Sequence, residues 1–229
     1  PAMLYLGANG GMLHAFSAST GAEVFAYVPQ GSYSRLALLT RPQYRHEYFV
    51  DGSPWTAEVD DAGRRKTLLA GFLGAGGRGY FVLDVSNASG PSEDALAAAG
   101  IAMLDTTATD DPDIGHIAGD PVREPADARR TRQITQLNNG RWALVLGNGY
   151  ASESQRAVLM IQFIDGAREL VKVPAGSPGG NGLAAARLVD TNGDQIPHLA
   201  YARDLRAWCD RHQALLATDL AFLRSPAGA

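Results

Sequence analysis

The chain has 229 residues, 45% of them hydrophobic, which is enough for one large domain with a sizeable core. Its formal net charge of −4 argues against general affinity for nucleic acid, and its single cysteine excludes an internal disulfide framework. No apolar run approaches the roughly 20 residues that span a bilayer as a helix, so the sequence predicts no transmembrane segment in this chain.

The first residues predict an antiparallel meander. Short apolar runs rich in strand formers occupy residues 3–6, 12–16 and 22–28. Glycine-rich turns separate these runs, and several of their residues can adopt a positive φ. Three strands on short turns make up most of one blade of a β-propeller.

The same phrase of strand, glycine-rich turn and strand returns further along the chain. It recurs at residues 68–85 and 142–166, and a fourth copy begins at residues 199–202. The sequence therefore predicts an all-β chain of about three and a half antiparallel propeller blades. Because propellers close with roughly four to eight blades, the propeller is predicted to be incomplete in this chain.

Three insertions lengthen the repeats, at residues 29–46, 86–132 and 174–182. Insertions of this kind collect on one face of a propeller and often carry its binding surface. Tolerated variation in loop length explains them equally well. The second insertion holds Asp110, Asp111 and Asp113, which are predicted to be solvated loop charges rather than a second cation site.

A candidate calcium loop lies between two short apolar runs, at residues 188–189 and 199–201. Asp190, Asn192 and Asp194 alternate, and Gly193 lets the backbone turn sharply between them. Carboxylate and amide oxygens are the ligands that calcium prefers. The flanking runs are typical of strands, so the loop is not a helix–loop–helix site. A turn rich in Asp and Asn that holds no metal is the alternative.

The predicted ligands are the side chains of Asp190, Asn192 and Asp194 and the carbonyl of Ile196, with a water molecule at His198. Such loops often close with an acidic residue where this chain has His198, and imidazole suits softer metals than calcium. The missing carboxylate places the expected calcium affinity at the weak end, about 10⁻⁵–10⁻³ M.

No catalytic residue is assigned. The glycine-rich segment at residues 74–79 is superficially similar to a dinucleotide-binding fingerprint, but residues 80–83 are typical of a strand. The helix N-terminus that would hold a pyrophosphate is therefore missing, and a hairpin turn is predicted instead.

Several of these phrases resemble the PilC/PilY family of type IV pilus biogenesis factors and tip-associated adhesins. The phrases lie at residues 4–16, 48–54, 74–80, 137–142 and 190–194. The resemblance covers roughly residues 3–204 and implies the C-terminal β-propeller domain of a large exported protein of Gram-negative bacteria. The start at Pro1, directly before a strand, is typical of a piece of a longer protein whose export signal lies elsewhere.

The same resemblance implies a location at the fimbrium, on the pilus tip or outer cell surface. It implies roles in pilus assembly, opposition to retraction, twitching motility and adhesion. The implied partners are pilus components such as minor pilins, and host or abiotic surface receptors. The resemblance also implies Ca²⁺ in the loop that contains Asp190, Asn192 and Asp194.

An enzyme is the alternative, because the blade phrase at residues 11–21 is also similar to the blades of quinoprotein dehydrogenases. Those enzymes hold a quinone over calcium and generally carry paired cysteines beside it. The single cysteine, Cys209, rules out such a pair within this chain. A binding and assembly module without enzymatic activity is therefore favoured.

The pattern changes after Asp204, which divides the chain into a partial propeller at residues 1–204 and a divergent tail at 205–229. Residues 205–223 favour a helix, with Leu205, Trp208, Leu215 and Leu216 recurring at helical spacing. Loss of the reading frame and a helical cap on the open edge of the last blade are the two explanations.

Overall fold

A computed structural model describes residues 2–61, 63–87, 100–119, 122–124, 127–175, 179–203 and 215–219. The strands in these ranges form four successive sheets, each an antiparallel meander, and one small hairpin between the second and third sheets. Four sheets confirm the predicted all-β propeller architecture, with one strand more in the last sheet than expected.

The strands are numbered in chain order. The first sheet consists of β1 (Met3–Gly7), β2 (Leu13–Ser17) and β3 (Glu23–Tyr27). The second consists of β4 (Trp55–Asp61), β5 (Arg64–Phe72), β6 (Tyr80–Asp84) and β7 (Ala102–Asp105). The hairpin pairs β8 (Arg123–Glu124) with β9 (Asp127–Thr131). The third sheet consists of β10 (Ile134–Gln136), β11 (Trp142–Gly147), β12 (Ala157–Phe163) and β13 (Leu170–Ala175). The fourth consists of β14 (Arg187–Val189), β15 (Leu199–Arg203) and β16 (Leu215–Asp219).

The helical elements are short. One turn of α-helix, α1, spans Gln30–Tyr33, and 3₁₀ turns span Leu36–Thr40 and Gly74–Gly76. Within the described ranges, no helix is long and apolar enough to cross a membrane.

Successive sheets pack face to face through the alternation of their side chains. On β5, Leu68 and Phe72 point into the core shared with the third sheet, whereas Leu69 points into the core shared with the first. The strand β12 is buried at every position, because the second sheet covers one of its faces and the fourth covers the other. An inner strand of this stack such as β12 is therefore apolar at nearly every position, rather than at every second position.

The outer face of the first sheet is uncovered. Met3 and Tyr5 pack toward the second sheet, so the alternating residues Leu4 and Leu6 point the other way. Each of these leucines is 59% exposed, so none of the described sheets packs on this face. The four sheets form an open stack, as expected of an incomplete propeller.

One polar pair crosses the core between the second and third sheets. The hydroxyl of Tyr80 donates to the side-chain oxygen of Gln162 over 2.8 Å, and Gln162 is only 2% exposed. Burial raises the pKa of Tyr80, which keeps this phenol protonated and able to donate. The bond fixes one tyrosine of the second sheet against one strand of the third.

Tyr80→Phe is expected to lower the free energy of unfolding by about 1–3 kcal/mol, because the side-chain oxygen of Gln162 loses its donor inside the core. Urea denaturation measures the loss. Tyr33→Phe removes a hydroxyl from a side chain on the surface and serves as the control, with no expected change. Equal stability of both variants would show that the buried bond contributes nothing.

The insertion predicted at residues 86–132 contains a strand of the sheet, which corrects that prediction. β7 pairs with β6 and completes the second sheet, with Phe81 opposite Asp105. It is an edge strand whose side chains are only partly buried, so its sequence lacks the strong apolar alternation of the inner strands. Residues 88–99 of the same insertion lie outside the described residues.

The helix predicted at residues 205–223 is wrong where the structure describes the tail. Residues 215–219 form β16, which pairs antiparallel with β15 from Leu199 opposite Asp219 to Arg203 opposite Leu215. An open strand edge offers a full row of backbone hydrogen bonds, whereas helix propensities differ by less than about 1 kcal/mol per residue. The remaining tail residues, 204–214 and 220–229, lie outside the described ranges, and the division of the chain at Asp204 stays a prediction.

Candidate metal centre

The predicted calcium loop connects β14 to β15 in the fourth sheet. Val189 and Leu199 face each other at the end of this hairpin, and the backbone N–H of His198 donates to the Val189 carbonyl over 2.9 Å. Gly193 has a φ of 85° and Gln195 a φ of 68°, so the backbone turns through the left-handed region twice. The two strands thus hold both ends of a tight, exposed loop.

Asp190 organises the loop. Its Oδ1 accepts from the backbone N–H groups of Asn192, at 3.0 Å, and Gly193, at 2.7 Å, and its Oδ2 accepts from Gln195 at 2.7 Å. Burial alone would raise the pKa of Asp190, but these three donors outweigh it and hold the pKa below its ordinary value. The carboxylate is therefore ionised at neutral pH.

A second carboxylate is oriented in the same way. Asp194 Oδ1 accepts from the backbone N–H of Ile196 over 2.8 Å, and Asp194 Oδ2 accepts from the side-chain nitrogen of Asn192 over 3.0 Å. The side-chain oxygen of Asn192 accepts from the backbone N–H of Asp194 over 3.1 Å. The side-chain oxygens of Asp190, Asn192 and Asp194 therefore all accept hydrogen bonds from within the loop, without any bound ligand.

The ring of His198 lies near both carboxylates. Its Nδ1 is 3.8 Å from Asp190 Oδ1, and its Nε2 is 3.9 Å from Asp194 Oδ2. The His198 side chain is 18% exposed, and its Nδ1 atom is buried without a hydrogen-bond partner among the described residues. One potential ligand atom from each of these three side chains lies within 4.8 Å of the other two.

The structure therefore brings together three of the five predicted site residues, Asp190, Asp194 and His198. Their two carboxylates and one unpartnered ring nitrogen fit a divalent cation. The amide oxygen of Asn192 is engaged with the backbone of the loop. Its role as a ligand and that of the Ile196 carbonyl stay predictions.

The acidic cluster of the second insertion is a structural ion-pair network. Lys172 Nζ lies 2.5 Å from Asp111 Oδ1 and 3.1 Å from Asp113 Oδ2, and Arg156 donates to Asp113 Oδ1 over 2.9 Å. The Asp113 side chain is only 9% exposed, so its predicted role as a solvated loop charge is wrong. Lys172 and Arg156 are both far from the acidic cluster along the chain, so no local sequence pattern indicated this network.

The glycine-rich segment at residues 74–79 joins β5 to the antiparallel β6, which confirms the predicted hairpin. The backbone of Phe49 lies against it so closely that a Cβ built on Gly76 would be 1.9 Å from the Phe49 carbonyl oxygen. The turn therefore serves close packing of two backbone segments, and β6 follows where a phosphate site would need a helix.

The first insertion is fixed to this turn by Arg35, a residue that sequence reasoning did not single out. Its guanidinium donates to the Gly76 carbonyl, to Glu47 at 3.0 Å and to the Tyr48 carbonyl at 2.9 Å. It also lies over the Phe49 ring, 4.7 Å from the ring centre. One arginine among several in a loop offers no pattern by which it could have been recognised.

Comparison with known proteins places this architecture in a family. The PilY1 beta-propeller domain matches residues 1–220. The type IV pilus biogenesis factor PilY1 of Pseudomonas aeruginosa is 36% identical over 208 residues, which cover 89% of this chain and 16% of that protein. A PilY1 homolog of Xylella fastidiosa is 36% identical over 213 residues, covering 88% of this chain and 13% of that protein.

A solved structure agrees with the sequence matches. The crystal structure of the Pseudomonas aeruginosa PilY1 C-terminal domain has a TM-score of 0.68 and 32% identity, and covers 95% of this chain and 38% of the solved chain. The chain spans between 13% and 16% of the length of the two relatives described above. The resemblance to the PilC/PilY family is thereby confirmed: the chain belongs to the PilY1 β-propeller family, and the relatives described above are named as pilus biogenesis factors, not as enzymes.

Proposed function

We propose that this chain is a calcium-binding propeller module of a type IV pilus biogenesis factor and tip adhesin. The convergence of Asp190 and Asp194 in a loop of a PilY1-type propeller carries this proposal. In this role the module belongs to an exported protein at the pilus tip or outer cell surface. It supports pilus extension against retraction, and with it twitching motility and surface attachment.

The loop residues have distinct tasks in this function. Asp190 is held by three backbone N–H groups, so its oxygens keep one orientation whether or not a cation is bound. Asp194 lies near the other nitrogen of the His198 ring and supplies the second negative charge. Calcium bound there would supply the positive charge that offsets the repulsion between these carboxylates. Cation binding therefore stabilises the β14–β15 hairpin.

The hairpin is coupled to the rest of the stack. Leu188 on β14 and Ala200 on β15 are buried against the third sheet, immediately beside the two ends of the loop. Ordering of the loop thus reaches the packing between the third and fourth sheets. We assign the partners to two groups: minor pilins at the pilus tip, and host or abiotic receptors contacted by the insertions.

Asp190→Asn is expected to weaken calcium binding at least tenfold, because the loop loses the carboxylate charge but keeps a side chain of the same shape. Isothermal titration calorimetry measures this against an expected wild-type Kd of about 10⁻⁵–10⁻³ M. Asp110→Asn removes the same charge from an exposed loop residue outside the site and should leave the affinity unchanged.

The cellular test uses the bacterium that encodes the chain. Asp190→Asn should reduce surface pili and shrink twitching zones at unchanged protein level, whereas Asp110→Asn should match the wild type. Absence of calcium heat in the wild-type chain would remove calcium from the proposal. If the Asp190→Asn strain twitches normally, the loop has no role in pilus function.

A further inference from the structure

We infer that His198 makes this loop a mixed nitrogen–oxygen site that binds a transition-metal ion of the Zn²⁺ class more tightly than Ca²⁺. The inference rests on the proposed metal-binding role of the same loop and names the ion that the loop prefers. It concerns three donors: the carboxylates of Asp190 and Asp194 and the imidazole of His198.

The first observation is that the imidazole is not engaged by the carboxylates beside it. Its two nitrogens lie 3.8 Å from Asp190 Oδ1 and 3.9 Å from Asp194 Oδ2. Hydrogen bonds to carboxylates are shorter, about 2.7–3.2 Å. Two ligand atoms that each lie about 2.0–2.2 Å from one zinc ion are separated from each other by at most about 4.4 Å. The two separations involve different ring nitrogens, so one ion can be shared either by Nδ1 and Asp190 Oδ1 or by Nε2 and Asp194 Oδ2.

The second observation is the buried, unpartnered Nδ1 atom of His198. A buried polar atom without a partner is unfavourable, so folded proteins rarely leave one in place. A metal ion on the lone pair of this nitrogen satisfies it, and the atom lies 3.8 Å from Asp190 Oδ1. The main chain around His198 is fixed, because its backbone N–H is bonded to Val189.

The chemistry of the donors then selects the ion. Calcium takes oxygen ligands almost without exception, so a ring nitrogen contributes little to its binding. Zinc and its neighbours in the first transition row bind imidazole and carboxylate together, at shorter distances than calcium. One ligand atom from each of the three side chains lies within 4.8 Å of the other two, so zinc gains a nitrogen ligand that calcium would not use.

Titration of the 229-residue chain with Zn²⁺ and with Ca²⁺ tests this inference. The wild type should bind Zn²⁺ at least tenfold more tightly than Ca²⁺. His198→Asp should reverse the order, with calcium affinity rising and zinc affinity falling at least tenfold each. His46→Asp makes the same substitution in an exposed loop elsewhere and should change neither affinity.

Co²⁺ provides a second readout, because its visible absorption reports the nitrogen and oxygen atoms bound to it. A cobalt spectrum that appears with the wild type should be lost or shifted in His198→Asp and retained in His46→Asp. If His198→Asp does not fold, as judged by circular dichroism, His198→Asn replaces it. That variant should also lose zinc affinity at least tenfold.

The outcomes separate the two proposals. The inference is overturned if the wild type binds calcium but binds zinc no more tightly, and if the cobalt spectrum is the same in the wild type and in His198→Asp. That result leaves the proposed function intact. A wild type that binds neither ion removes the site and the calcium proposal together. Zinc binding that survives unchanged in His198→Asp assigns the zinc to other residues and also overturns the inference.

Discussion

Asp113→Ala is expected to lower the free energy of unfolding by about 1–3 kcal/mol, because it removes a nearly buried carboxylate from a partly exposed ion-pair network. Lys172 and Arg156 both contact the Asp113 carboxylate, and the Asn148 side chain donates to its backbone carbonyl over 2.7 Å. Without the carboxylate, the Lys172 ammonium keeps only Asp111 as a partner. Urea denaturation measures the loss, and Asp110→Ala, an exposed neighbour, should change stability by less than about 0.5 kcal/mol.

The same residue predicts how stability depends on pH. Burial alone would raise the pKa of Asp113, but the nearby Ser154 hydroxyl and hydrogen bonds from Lys172 and Arg156 outweigh it and lower the pKa to about 2. The unfolded chain therefore takes up this proton first as the pH falls. The stabilisation is complete above about pH 4 and disappears as the pH falls toward 2.

Denaturation between pH 6 and pH 2 measures this dependence. Asp113→Asn has no carboxyl group to titrate, so it should be less stable than the wild type at pH 6, and the difference should shrink toward pH 2. A constant difference between the two proteins across this range would contradict the assignment.

Gly76→Ala is expected to cost about 3 kcal/mol or more, because its new methyl group has no room. The Cβ would lie 1.9 Å from the carbonyl oxygen of Phe49 and 2.4 Å from its carbonyl carbon. Both atoms belong to the backbone, so no side-chain rotation relieves the clash and the two segments must move apart. Their separation would also pull the Gly76 carbonyl away from Arg35.

Gly10→Ala is the matched control for this substitution. Nothing lies within 4 Å of a Cβ built there, and its φ is outside the left-handed region. Its effect should stay within about 0.5 kcal/mol by thermal and urea denaturation. If Gly76→Ala is equally mild, the backbone around Phe49 moves easily, and its close approach to Gly76 has no role in stability.

The repeated sheets could be predicted because their signals are local. Short apolar runs separated by glycine-rich turns indicated β1 to β3, and the same pattern indicated β5, β6, β11 and β12. β7 and β16 were missed because both are edge strands, whose stability comes from one neighbouring strand rather than from their own composition. The helical pattern of the tail favours a helix only weakly. The unpaired backbone groups along the edge of β15 favour an additional strand more strongly.

The candidate metal centre, too, could be predicted only where its sequence signal is local. The alternation of Asp190, Asn192 and Asp194 is a local signal, and so is the position of His198 at the closing end of the loop. The burial of its Nδ1 depends on the surrounding fold. The pairing of Lys172 with Asp111 joins residues 61 positions apart, so it follows from the docking of one sheet on the next and from no pattern along the chain.

The succession of meanders also decides how this chain can reach its folded state. Strands that pair within a sheet are neighbours in sequence, which lowers the contact order and favours rapid formation of each sheet. Each new sheet also finds the apolar face of its predecessor already formed. A chain that leaves a ribosome or a membrane pore with its N-terminal end first can therefore fold progressively, without waiting for distant segments. The edge strands β7 and β16 each arrive only after an intervening segment, at residues 85–101 and 204–214, so each joins its sheet later than the other strands of that sheet.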